Sequence, residues 1–175
     1  MSILKRLFSN ENPNIIMQPL YAAIIGEGRR PFWYEEGEVP DTIDGRFDMI
    51  AAILSLVLIR LESEESTAQE TTWLTELFIS DMDGQLRQIG IGDMVVGKHV
   101  GRMMGALGGR MAAYRDGLGG QADLGEALTR NLYRGEAPAE QALKLVVDAL
   151  RNFGDGLART KTTNILAGEI PETSA

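Results

Sequence analysis

The chain has 175 residues, of which 44% are hydrophobic and 24% charged, a balance that fits one globular domain built on a single sizeable core. Seventeen Lys and Arg stand against twenty-five Asp and Glu, giving a formal charge of −8, and the basic residues are scattered. The clustered basic footprint of a general nucleic-acid binder is therefore missing, and the absence of cysteine excludes disulfides, zinc–thiolate sites, iron–sulfur clusters and thiol nucleophiles.

The first eight residues set Ile3, Leu4, Leu7 and Phe8 against Lys5 and Arg6, a weak amphipathic signal that fits a membrane surface or packing against the domain equally well. They lack the apolar h-region and cleavage site of a signal peptide, so the expected location is cytoplasmic, with peripheral contact at the inner face of the cytoplasmic membrane. Residues 1–18 read as this amphipathic segment and a linker, 19–163 as the helical domain, and 164–175 as a flexible tail.

Apolar spacing predicts a first helix over about 19–29, with Pro19 suited to a first helical position. Arg30-Pro31 ends it, because the residue before a proline is pushed out of helical geometry. Phe32-Trp33-Tyr34 then reads as a short turn that plugs the core. After the loop 37–42, Asp41 or Thr42 is a good N-cap for the most hydrophobic helix, which runs to about Leu61. That helix is apolar over most of its circumference and is expected to be central. Its uncharged run 49–59 covers about half of the ~20 residues needed to cross a bilayer.

A polar connection, 62–67, leads through two overlapping capping boxes in 66–70 to a helix with Trp73, Leu74, Leu77, Phe78, Met82, Leu86 and Ile89 on one face. Gly90 is a natural C-cap, and Asp93 is placed to cap the next helix. This one reaches about Leu118, with Val96, Val100, Met103, Leu107, Met111, Tyr114 and Leu118 inward. Gly119-Gly120 breaks the pattern, and two further helices are predicted over 124–132 and 138–153. No stretch keeps the period-two alternation of a strand, so the expected fold is an all-α, single-domain compact bundle of about six to seven helices.

Few residues in this pattern carry chemistry. Asp81-Met82-Asp83-Gly84 resembles the start of a calcium loop, but the twelfth position of such a loop is Gly92 rather than a glutamate. On a helix, Asp81 and Asp83 point about 200° apart, and Asp83 with Arg87 forms an ordinary i,i+4 pair. Asp41, Asp44 and Arg46 flank a helix start; beyond capping, they are candidates for a buried polar network, with Arg46 reaching toward the Asp81–Asp83 helix. Gly97, Gly101, Gly105 and Gly109 recur every four residues, each at a helix cost of roughly 0.5–1 kcal/mol relative to alanine. Close approach of another helix is the natural compensation, and a helix of the same chain is the default partner, with a client helix as the alternative. Lys98 and Arg102 lie on the adjacent face, one turn apart. No metal site, cofactor or catalytic residue is assigned.

Several of these segments occur in a specific order. Leu20-Tyr21, Arg30 to Tyr34, Val39 to Phe47 and Asp81 to Arg87 are followed by 90–94 with Asp93, then Lys98, Gly109-Arg110 and Tyr114. The ordered string, spread over residues 19 to 155, resembles the ubiquinol–cytochrome c chaperone family. The resemblance implies an α-helical fold and a role in assembling the cytochrome bc1 complex (respiratory complex III). In the mitochondrial relatives, the protein and a small partner hold newly made cytochrome b, and no catalytic residues come with the family. The implied partners are thus cytochrome b or another bc1 subunit, together with a small partner protein.

The motif residues Asp41, Asp44, Arg46, Asp81, Asp83, Arg87, Asp93, Lys98, Arg102, Arg110 and Tyr114 become candidates for client contact or fold maintenance. Gly101, Gly105 and Gly108 depart from the more basic and bulkier surface expected of the family along this helix. The short N-terminus, without a long import extension, suggests a bacterial setting. Two other readings compete: an enzyme on a helical scaffold using His99 or the Asp81/Asp83 region, and a membrane-surface regulatory binding protein.

Overall fold

The structure, a computed structural model, describes the backbone of residues 13–88 and 93–173 and the side chains of 13–84 and 104–173. Among the described residues there are only helices and connections. A 3-10 turn, Pro13–Met17, enters α1 (Gln18–Gly28), and α2 (Pro31–Glu35) follows. The chain continues through α3 (Ile43–Glu62), the 3-10 turn Glu65–Thr67, α4 (Ala68–Gln88) and α5 (Asp93–Leu118). It ends with α6 (Leu124–Asn131), α7 (Glu140–Arg159) and α8 (Thr162–Leu166). Six of these helices have eight residues or more, in agreement with the all-α bundle expected from periodicity.

α3 is the axis of the bundle. It contacts α1, α4, α5 and α7, and its residues from Asp48 to Leu58 are all buried, which is why its apolar residues occupy nearly every face. Its start is set by Thr42, whose hydroxyl accepts the Gly45 N–H at 3.0 Å, so Thr42 rather than Asp41 is the cap. The preceding loop is pressed so closely onto this first turn that a Cβ on Gly45 would lie 1.9 Å from the Pro40 carbonyl oxygen. α2 does plug the core: Trp33 is fully buried, donates its indole N–H to the Glu27 carbonyl at 2.8 Å, and packs edge-on to Phe32.

The turn from α3 to α4 is closed by Thr67, whose hydroxyl donates to the carbonyls of Leu61 and Glu64. α7 extends six residues past the predicted end at Phe153, carrying Val146, Leu150, Phe153 and Leu157 along one buried stripe. Arg60 of α3 holds its far end, donating to the Leu157 carbonyl at 3.1 Å and to the Thr162 hydroxyl at 3.0 Å.

The expected flexible tail differs from what is found. Ile165 is fully buried, Pro171 sits where a Cβ on Gly156 would stand, and the Thr173 hydroxyl donates to the buried Glu27 carboxylate. Gly168, at φ 93°, makes the turn back toward α1. A buried glutamate needs a partner, and the last described residues supply one. No described helix is long and apolar enough to cross a membrane.

Candidate functional site

The ionic centre of the molecule is Asp48, on the inward face of α3. Its carboxylate is wholly buried and accepts one hydrogen bond from Arg110 of α5 and a second, 2.7 Å long, from Arg134 of the α6–α7 loop. Arg110 is only 12% exposed, lies with its guanidinium 5.6 Å from the Phe47 ring centroid, and also donates to the Asn131 carbonyl. Arg134 reaches a second acid, Asp44, at 2.7 Å, from a backbone position with φ 56°. Its hydrogen bond to Asp48 holds the guanidinium pKa above its ordinary value, so this charge is permanent. Two elements distant in sequence, α5 and the α6–α7 loop, are thereby tied to the central helix by one carboxylate.

Tyr114 stands one turn after Arg110 on α5. It is fully buried, its hydroxyl has no hydrogen-bond partner among the described residues, and burial pushes its pKa above the ordinary range. Arg110, Asp48 and Arg130 all act on it electrostatically, which places it beside the same cluster. On the solvent side of Arg110, an open cleft of about 540 Å3 lies between α5 and the end of α6.

The outward face of α5 is unusual. Gly105, Ala106, Gly108, Gly109 and Ala112 are exposed, with Met104 41% exposed at one end. A Cβ built on Gly105, Gly108 or Gly109 meets no atom within 4 Å. Among the described residues no other helix packs on the glycine stripe at Gly105 or Gly109, which departs there from the default expectation of a helix of the same chain. The chain places its own α3, α4 and α6 on the opposite side of α5, through Leu107, Met111 and Tyr114. Gly97 and Gly101 lie outside the described side chains.

The other candidates divide as follows. Arg46 and Asp41 form an ion pair 2.5 Å long, but at 53% and 56% exposure it is a surface pair and not part of a buried network. The Arg46 guanidinium also lies over Tyr34, 5.6 Å from the ring centroid. Its hydrogen bond to Asp41 lowers that carboxyl below the ordinary range. Asp44 does join the buried network, from its exposed rim. Asp81, inside helix α4, accepts a hydrogen bond from the Tyr21 hydroxyl at 2.8 Å and so joins α4 to α1. Burial, reinforced by Asp81, raises the Tyr21 pKa. Asp83 lies one residue from buried Met82 on the same helix. The side chains of Arg87, Asp93, Lys98, His99 and Arg102 are outside the described set. Among the described residues, no group of three or more His, Asp or Glu is arranged to hold a metal ion.

Sequence reasoning missed Asp48 and Arg134, the two residues that organise this centre. A charged residue inside the run from Phe47 to Leu58 is the signal that points to Asp48, since a buried acid requires a cation nearby.

Among the described residues, a buried aspartate staples the helical bundle and the outward face of α5 carries small residues. The model of the ubiquinol–cytochrome C chaperone family matches residues 35–173, and the chain belongs to that family. The solved structure described as the Cbp3 homolog from Brucella abortus is 26% identical, superposes with a TM-score of 0.80, and covers 98% of this chain and 97% of its own. Comparison with the curated proteins gives no match.

Proposed function

We propose that this protein is an assembly chaperone of the cytochrome bc1 complex that binds newly made cytochrome b without catalysis, using the outward face of α5. Family membership supports the bc1 assembly role. The observation that carries the binding surface is the open row of Gly105, Gly108 and Gly109 on a helix of 26 residues.

Glycine in a helix interior costs roughly 0.5–1 kcal/mol against alanine, and among the described residues none lies close enough to benefit from its small size at these positions. Small residues in such a row let a second helix approach at backbone distance, as they do between helices in membranes. A client made of transmembrane helices offers the matching surface before its own subunits cover it. Contact at the face of the membrane then brings the two together.

Deletion of the gene, followed by measurement of assembled bc1 complex and of haem-loaded cytochrome b, tests the role. The expected result is a loss of both, restored by the wild-type gene. Normal amounts of both in the deletion strain exclude it.

A further inference from the structure

The cleft beside the glycine face is lined by Ala106, Gly109, Arg110, Arg130, Asn131 and Arg134. Three guanidiniums meet there in a chain whose net charge is −8. Two of them are engaged: Arg110 by Asp48 and the Asn131 carbonyl, Arg134 by Asp48 and Asp44. Arg130 is exposed, in the last turn of α6, and among the described residues its guanidinium has no hydrogen-bond or ion-pair partner. The position favours the helix dipole but leaves its donors unused. The cluster thus has two carboxylates for three guanidiniums, and its surplus positive charge faces the opening.

We propose that this cleft is a carboxylate receptor: an Asp or Glu of the client segment lying on α5 enters it and accepts the free donors of Arg130. The inference rests on the chaperone reading above and adds the chemistry that fixes the client's register. An arginine fork and a carboxylate form paired, charge-assisted hydrogen bonds, which position a partner as well as hold it. Ala106 and Gly109 belong both to the open face and to the cleft, so a segment seated on one reaches the other. A protein carboxylate suits the site better than a lipid phosphate for two reasons on the molecule itself. The face beside the cleft carries glycines and alanines rather than the bulky apolar side chains that enter a bilayer, and the overall negative charge repels an anionic membrane.

The test uses the full chain, wild type and Arg130→Glu, with Arg159→Glu as an exposed control on α7. The probes are synthetic peptides covering the acid-bearing cytoplasmic segments of cytochrome b, the same peptides with Asn or Gln in place of the acids, and vesicles of anionic phospholipid. The expected result is that Arg130→Glu weakens the best acidic peptide by about tenfold or more, that Arg159→Glu does not, and that the amide peptide binds the wild type equally poorly. Equal affinity of the acidic peptide for wild type and Arg130→Glu overturns the proposal, as does Arg130-dependent binding to vesicles alone. Co-purification of intact cytochrome b separates the two levels. Wild type that fails to retain it overturns the chaperone reading, whereas full retention by Arg130→Glu, with peptides unaffected, overturns only the cleft.

Discussion

Asp48 on α3 and Arg110 on α5 meet across 62 positions of sequence, the aspartate fully buried and the arginine nearly so. Removing one member of such a pair leaves an uncompensated charge in the interior, which costs about 3–5 kcal/mol. Asp48→Ala is therefore expected to lose that much stability in urea unfolding, and Arg110→Ala less, because Asp48 keeps its hydrogen bond from Arg134. Asp41→Ala, which breaks the exposed, solvent-screened pair with Arg46, is expected to cost far less. Equal effects at Asp48 and Asp41 contradict the assignment of Asp48 as the staple.

Gly45 and Gly84 are both helical glycines, and they are expected to respond oppositely to alanine. At Gly45 the new methyl would meet the Pro40 carbonyl at 1.9 Å, so the loop before α3 must move, at a cost of about 1–3 kcal/mol or more. At Gly84 there is no atom within 4 Å, and the better helix propensity of alanine is expected to add roughly 0.5–1 kcal/mol. Thermal unfolding of the two variants reads both signs.

Gly105 and Gly109 extend this comparison to function. Nothing lies within 4 Å of a Cβ at either position, so Gly105→Ala and Gly109→Ala are each expected to stabilise the free protein by roughly 0.5–1 kcal/mol. Larger residues there, such as Gly105→Leu with Gly109→Leu, are expected to hold a client helix away and to reduce assembled bc1 complex in cells while the protein itself stays folded. Folding measured by thermal unfolding and assembly measured on native gels must move apart. Unchanged assembly in the double leucine variant contradicts the use of this face.

The connection between α3 and the end of α7 carries a pH dependence. Hydrogen bonds to Glu64 from the Thr162 hydroxyl first, and then from Arg60, hold its carboxyl below the usual 4.5. A carboxyl lowered by folding contributes stability that is complete above its unfolded pKa and is lost as pH falls through the folded value. The Tm of the wild type is expected to fall more steeply than that of Glu64→Gln between about pH 5 and about pH 3. Parallel curves contradict this role for Glu64.

The helices were legible in the sequence because their signals are local. Thr42 before the first turn of α3 and Pro19 at the start of α1 act within a turn of where they stand. The polar network was not legible, because its members come from α3, α5 and the α6–α7 loop and meet only after packing. Arg46 illustrates the difference. It stands two residues before Asp48, about 200° round the helix, so the same segment that buries the aspartate turns the arginine outward to Asp41. Arg134 carries no helical or strand signal, and it stands at a φ of 56° in the α6–α7 loop with two acids within reach. The C-terminal segment was misread for a related reason. Its polar residues look like a tail until Thr173 is seen against buried Glu27. The glycine row is visible as a pattern, but only the packing around α5 shows that at Gly105 and Gly109 its side of the helix is open among the described residues.

The central claim is direct contact between the outward face of α5 and cytochrome b. A photoreactive amino acid placed at Ala106 or Ala112 on that face, and at exposed Gln141 on α7 as the comparison, tests it in living cells. Irradiation followed by detection of tagged cytochrome b is predicted to give a crosslinked product from positions 106 and 112 and none from 141. A product from Gln141 alone, or from none of the three while the bc1 complex is being assembled, would contradict the account.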